Sequence, residues 1–192
     1  MSLLHLIAAA LGVMLLAGCT TVTKTPLPTV SQVDLPRFMG DWYVIAHIPT
    51  FIEKQAYNAI ERYDLRPDGT IATTFTFRQG GFDGKPRRHE PRGFVRDPVN
   101  KSTWGMQFVW PIKAEFLISH LDAGYTQTII ARNARDYAWI MARTPTIPDA
   151  DYDRHVGQLA AWGYDTTKLR RVPQRGLGLA QKKAATPGGR CG

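Results

Sequence analysis

The chain has 192 residues, is 44% hydrophobic, and carries 24 Lys plus Arg against 16 Asp plus Glu, a net charge of +8. That composition is ordinary for a globular protein, so one domain of average size with appendages is expected. The basic excess favours anionic partners such as lipid headgroups, and in an exported chain headgroups are the natural choice over nucleic acid.

Residues 3–17 are apolar except for His5, and the run ends in Leu16-Ala17-Gly18-Cys19. About 15 residues is short for a bilayer span and typical of the apolar region of a signal peptide. The ending resembles the bacterial lipobox, which implies that Cys19 becomes a lipidated N-terminus. Thr20 follows instead of an inner-membrane retention Asp, so the resemblance implies the outer membrane. The one departure is the lack of Lys or Arg ahead of the apolar run. With Cys19 acylated, Cys191 has no intramolecular partner, and the fold must rest on its core. Residues 1–18 thus read as a signal peptide, and 19–33, rich in Thr, Pro and Val, as a flexible tether.

From residue 34 to 173 the pattern is that of a single domain. Eight β-rich segments are predicted at 42–48, 57–65, 70–79, 91–96, 103–110, 115–121, 125–133 and 136–143. Turn chemistry separates them, notably Arg66-Pro67-Asp68-Gly69, Gly80-Gly81, Asp97-Pro98-Val99-Asn100 and Asp122-Ala123-Gly124. Short, evenly spaced strands with tight turns predict an antiparallel barrel or sandwich. Pro145 and Pro148 then mark a change of period. Tyr152, Val156, Leu159 and Trp162 recur at helical spacing, with Asp149 and Asp151 in the opening turn and Gly163 beyond the end, which predicts one amphipathic helix on the outside of the sheet. Residues 166–169 can add a turn, and 174–192 read as a disordered basic tail.

An eight-stranded barrel can hold one small ligand, but a cavity forfeits packing along the axis, so one end must be plugged. Gly40 lets the chain turn into the first strand, Trp42 supplies the plug, and Arg143 can lie over its ring while capping backbone carbonyls. These residues resemble the lipocalin family: Gly40-Asp41-Trp42-Tyr43 matches its first region, Asn133-Ala134-Arg135-Asp136-Tyr137-Ala138-Trp139 its second, and Arg143 its third. Trp110-Pro111-Ile112 and Arg143-Thr144-Pro145 look like the bacterial and apolipoprotein D-like branch. Cysteines that pin many relatives are missing, and Asn133 stands where Thr is common.

The resemblance implies an eight-stranded up-and-down calyx with a C-terminal helix packed outside, binding and carrying fatty acids or lysophospholipids in the bacterial envelope. It implies a domain facing the periplasm and allows a homodimer, with no cofactor, metal or nucleic acid. Candidate lumen residues are Phe75, Phe77, Trp104, Met106, Phe108, Tyr137 and Trp139, since period two puts each set on one face of its strand. Period two does not say which face, so these stripes equally suit core filling or helix packing. Gly40, Trp42 and Arg143 are expected to close the barrel. Phe51 and Ile52 are expected over the mouth, and Arg87, Arg88 and His89 in a basic loop. An enzymatic reading finds little: Ser119 and His120 point to opposite faces of a strand, and the five histidines lack metal-ligand spacing. An anchored surface-interaction protein with a filled barrel is the third reading, supported by the basic tail.

Overall fold

The computed structural model describes residues 25–50 and 53–175. Cys19, Phe51, Ile52 and residues 176–192 lie outside them, and so do the signal-peptide and basic-tail expectations. Among the described residues, no helix is long and apolar enough to cross a membrane.

Residues 25–33 form neither helix nor strand but are not free, which corrects the expectation of a tether over this part. The Val30 amide donates to the Ile118 carbonyl at 3.0 Å and the Val33 amide to Asn100 at 2.7 Å, while Leu27 and Val33 bury their side chains. A short helix follows, α1 (Leu35–Phe38). Asp34 caps it by accepting from the Arg37 amide, and Pro36 sits in its first turn, where no N–H is needed. Gly40, at φ 92°, turns the chain from this helix into the first strand.

The strands are β1 (Gly40–Ile48), β2 (Ala56–Leu65), β3 (Thr70–Gln79), β4 (Lys85–His89), β5 (Arg92–Val95), β6 (Thr103–Val109), β7 (Ile112–Leu121), β8 (Gln127–Ala131), β9 (Ala138–Ala142) and β10 (Arg170–Arg171). Both β4 and β5 pair antiparallel with β3, through Phe75 opposite His89 and Ala72 opposite Arg92. Glu90-Pro91 interrupts what is one stave, because Pro91 has no N–H to give a ladder. Arg87, Arg88 and His89 therefore lie in a strand and not in a loop. Eight antiparallel staves result, and β1 pairs with β9 from Tyr43 opposite Ala142 to Ile48 opposite Ala138, closing the barrel. Closure removes the free edges that would invite aggregation.

One split in the wall is patched. Gly40 to Tyr43 of β1 pair with β2, but Ala46 and His47 pair with β10. Gln174 then bridges the separated strands, its side-chain amide donating to Val44 at 2.9 Å and Ala59 at 3.0 Å.

The second helix, α2 (Asp149–Ala161), lies outside. Leu159, Tyr152, Val156 and Trp162 pack on Ile45, Leu117, Ile129, Ile140 and their neighbours on the barrel's outer face. A separate apolar cluster fills the interior, from Phe38 and Trp42 to Trp139 and Met141. The strands thus have two buried faces over part of their length, which is why β9 reads as a continuous apolar run without alternation.

Candidate functional site

The closed end of the barrel is an aromatic floor. Trp42 is fully buried, its indole N–H donates to the Phe38 carbonyl at 2.8 Å, and the Arg143 guanidinium sits 3.8 Å above its ring centroid. The same guanidinium donates to the carbonyls of Asp41 at 2.8 Å, Arg37 at 2.8 Å and Phe38 at 3.0 Å, and through Nε to Tyr125 at 3.3 Å. One cation thereby satisfies the orphaned C-terminal carbonyls of α1 while covering a ring face. A Cβ on Gly40 would lie 3.5 Å from Arg143, so the glycine is required mainly by its positive φ. Phe38, Tyr63, Trp104 and Phe116 complete the floor, with Trp104 and Phe116 stacked at 5.1 Å.

Above this floor lies a cavity of about 280 Å³, reaching the far end of the barrel. Met106, Phe108, Tyr137 and Trp139 border it, together with Phe116, Ala114, Thr50, Val109 and Ile112. Three other lumen candidates are placed differently. Trp104, at the start of β6, lies low in the floor with its indole N–H on the Lys101 carbonyl at 2.7 Å. Phe75 and Phe77 pack in the interior behind the cavity wall, Phe75 5.1 Å from Trp139 and Phe77 stacked on His89 at 6.0 Å. All three face inward; what separates them from the lining set is their position around and along the barrel.

The cavity also holds polar groups that sequence reasoning missed. Glu53 and Glu61 line it, both buried. Glu61 is only 1% exposed and its Oε2 has no hydrogen-bond partner. Burial, then the charge of Glu53, hold its carboxyl well above the usual range, so it is protonated where ordinary glutamates are not. Burial likewise raises the Tyr63 and Tyr137 phenols. His47 is buried 3.7 Å from Glu53. Glu61 was legible in principle: it alternates with Ala59 and Tyr63 on the buried face of β2. At the rim, Glu115 accepts from the Asn133 amide at 2.7 Å and side chain at 2.8 Å.

The mouth is apolar on the outside as well. In the β6–β7 hairpin Val109 is 67%, Trp110 82% and Ile112 69% exposed. The docked segment starts at this end: Leu27 donates to the Asn133 side chain at 2.7 Å, and Arg135 donates to the Thr25 carbonyl and, at 3.1 Å, to the Trp162 carbonyl ending α2. Ser119 and His120 do not form a catalytic pair, since His120 lies outside the barrel, 5.1 Å from His155. Among the described residues, no three His, Cys, Asp or Glu side chains converge as a metal site.

A closed barrel with a plugged floor, an open apolar cavity and one external helix defines a calyx-type binding protein. The family model described as "Lipocalin-like domain" matches residues 33–174, and the chain belongs to that family. It is 27% identical over 180 residues to "Outer membrane lipoprotein Blc" of Escherichia coli (strain K12), covering 92% of this chain and 99% of that protein. It is 26% identical over 163 residues to "Temperature-induced lipocalin-1" of Arabidopsis thaliana, covering 79% and 84%. Among solved structures, insecticyanin from the tobacco hornworm Manduca sexta superposes with a TM-score of 0.62 at 15% identity over 79% of this chain and 86% of that one, a likeness of fold alone.

Proposed function

We propose that this chain is a membrane-anchored carrier of single-chain lipids, fatty acids or lysophospholipids, acting at the outer membrane of a bacterial envelope without catalysis. The observation that carries this reading is the cavity of about 280 Å³ above a fully packed floor, walled by Met106, Phe108, Tyr137 and Trp139. Aromatic and thioether walls suit a flexible acyl chain, and a barrel that worked only by its surface would have no reason to keep this space.

Anchoring follows from Cys19. Six steps of extended chain from Cys19 to Thr25 reach at most about 20 Å. Thr25 is held at the mouth end by Arg135, so acylated Cys19 brings the mouth, and with it Trp110 and Ile112, to the bilayer that receives the acyl chains. Ligand then passes between bilayer and cavity without crossing open water. The outer-membrane assignment is supported by the name of the Escherichia coli relative, an outer membrane lipoprotein that aligns over 92% of this chain. The domain faces the periplasm.

Native mass spectrometry of the exported Cys19→Ser chain tests the reading. A co-purifying single-chain lipid at one equivalent, displaced by oleate, is expected. A chain that stays empty across a panel of lipids would sink the carrier reading in favour of a surface-binding one.

A further inference from the structure

The carrier reading does not say which end of the ligand enters first. Cross-strand pairing puts Trp42, Glu61, Phe75 and His89 in one row, with Trp42 opposite Glu61, Glu61 opposite Phe75 and Phe75 opposite His89. Directly opposed residues share a face, so Glu61 stands beside the floor tryptophan, at the bottom of the cavity it lines. Its Oε2 has no partner, and neither do Tyr63 Oη and Thr73 Oγ1, which are paired across β2 and β3. A buried polar group left unsatisfied costs about 1–3 kcal/mol, so a lumen built only for hydrocarbon would be more stable without them. Tyr63 and Thr73 lie below the cavity, but Glu61 borders it, and its placement makes sense if a ligand's polar end completes it.

We propose that the calyx takes its ligand head first, seating against the Glu61 carboxyl a polar end that is uncharged or cationic, with the chain running up to the mouth. The ligand class is a protonated fatty acid, a fatty alcohol, an amide or an amine. The titratable groups facing this point are Glu53 from the β1–β2 connection, His47 on β1, Tyr63 on β2, His89 on β4 and Tyr137 just before β9, with Arg132 and Glu115 nearer the rim. Of the rim charges, Glu115 is engaged by Asn133, whereas Arg132 pairs with Asp136 at 3.2 Å through one terminal nitrogen and keeps its buried Nε unpartnered at the cavity border, well above Glu61. A carboxylate anion entering here would be a further negative group beside Glu53 and Glu61, and adjacent carboxyls cannot all ionise. A fatty acid therefore binds with its proton, sharing hydrogen bonds with Glu61. An ammonium binds by letting Glu61 ionise. The raised Glu61 carboxyl described above agrees with the first; in the second the ammonium's own charge has to offset the burial that keeps Glu61 protonated.

The inference rests on the carrier reading, and displacement of Nile red from the full Cys19→Ser chain separates the two. The competitors are dodecanol, dodecanamide, dodecylamine and dodecanoate at pH 5, 6.5 and 8. At pH 8 the alcohol and amide are expected to compete at least tenfold better than dodecanoate, which gains as the pH falls. Glu61→Gln should keep alcohol binding, weaken dodecylamine at least tenfold and narrow the gap to dodecanoate. Glu61→Leu, which cannot hydrogen-bond, should weaken the alcohol as well. Equal binding of dodecanoate and dodecanol at pH 8, or unchanged amine affinity in Glu61→Gln, would overturn head-first seating and leave the carrier reading standing. Failure of Nile red and all four competitors to bind would overturn both.

Discussion

The two halves of the barrel interior treat the same residue type in opposite ways. Trp42 and Trp104, in the floor, have their indole N–H groups satisfied by backbone carbonyls at 2.8 and 2.7 Å. Trp139, beside the cavity, is as deeply buried, but its N–H has no partner. Arg143 is used to the full against four carbonyls, whereas Glu61 has an oxygen unmatched. Apart from Tyr63, whose Oη is unpartnered, the floor half is built for cohesion; the cavity half holds polar groups whose cost the rest of the fold must carry. Such imperfections in an otherwise consistent structure are where function is expected.

The contrast breaks most severely at the floor. Trp42→Ala removes the plug and should cost about 3–5 kcal/mol, read as a drop in chemical-denaturation midpoint with little change in slope. Arg143→Lys keeps a cation but loses the planar fork, and should cost roughly 1–3 kcal/mol. A loss no larger than that of an ordinary surface substitution would show that the floor does not hold the barrel shut.

Acid should loosen the outer layer next. Burial, with help from His120 and Arg154, pushes His155, on the buried face of α2, down to about 4, against about 6.5 when unfolded. A depressed histidine is neutral in the fold, so its contribution is present above pH 6.5 and is lost as the pH falls toward 4. The loss is on the order of 2 kcal/mol, allowing for partial solvation. His155→Leu should flatten thermal stability between pH 6.5 and 4, and an unchanged slope would remove this account of acid sensitivity.

At the cavity the sign reverses. Glu61 is raised, so its cost to the fold grows as the pH climbs above the unfolded carboxylate value. Glu61→Gln should therefore raise thermal stability at pH 8 and hardly at all at pH 4. The smallest effect on folding belongs to the rim: Trp110→Ser should move stability by less than about 0.5 kcal/mol while lowering binding to lipid vesicles.

Much of this division was open to sequence reading, and the rest was hidden for physical reasons. The floor was legible because Gly40, Trp42 and Arg143 have one economical arrangement, and the strands because turn residues punctuate period-two runs. The β4 segment was not legible, since Lys85-Pro86-Arg87-Arg88-His89 is mostly exposed and carries no alternation. Residues 25–33 are held largely by backbone bonds and by Asn133 and Arg135, which leave no apolar period to read. The lining set was half legible: period two assigns a face but not a height, and so cannot separate Trp104 in the floor from Met106 in the cavity two residues on.

The central claim is that the cavity itself is the ligand site, and filling it is the most direct test. Ala114 borders the open space opposite Met106 on the neighbouring strand. Titration of the Cys19→Ser chain with a single-chain lipid, followed by calorimetry, should saturate at one equivalent. Ala114→Trp should abolish binding while the barrel stays folded by near-ultraviolet circular dichroism. A folded Ala114→Trp chain that binds as well as the parent would contradict the account, because the lipid would then lie somewhere other than the calyx.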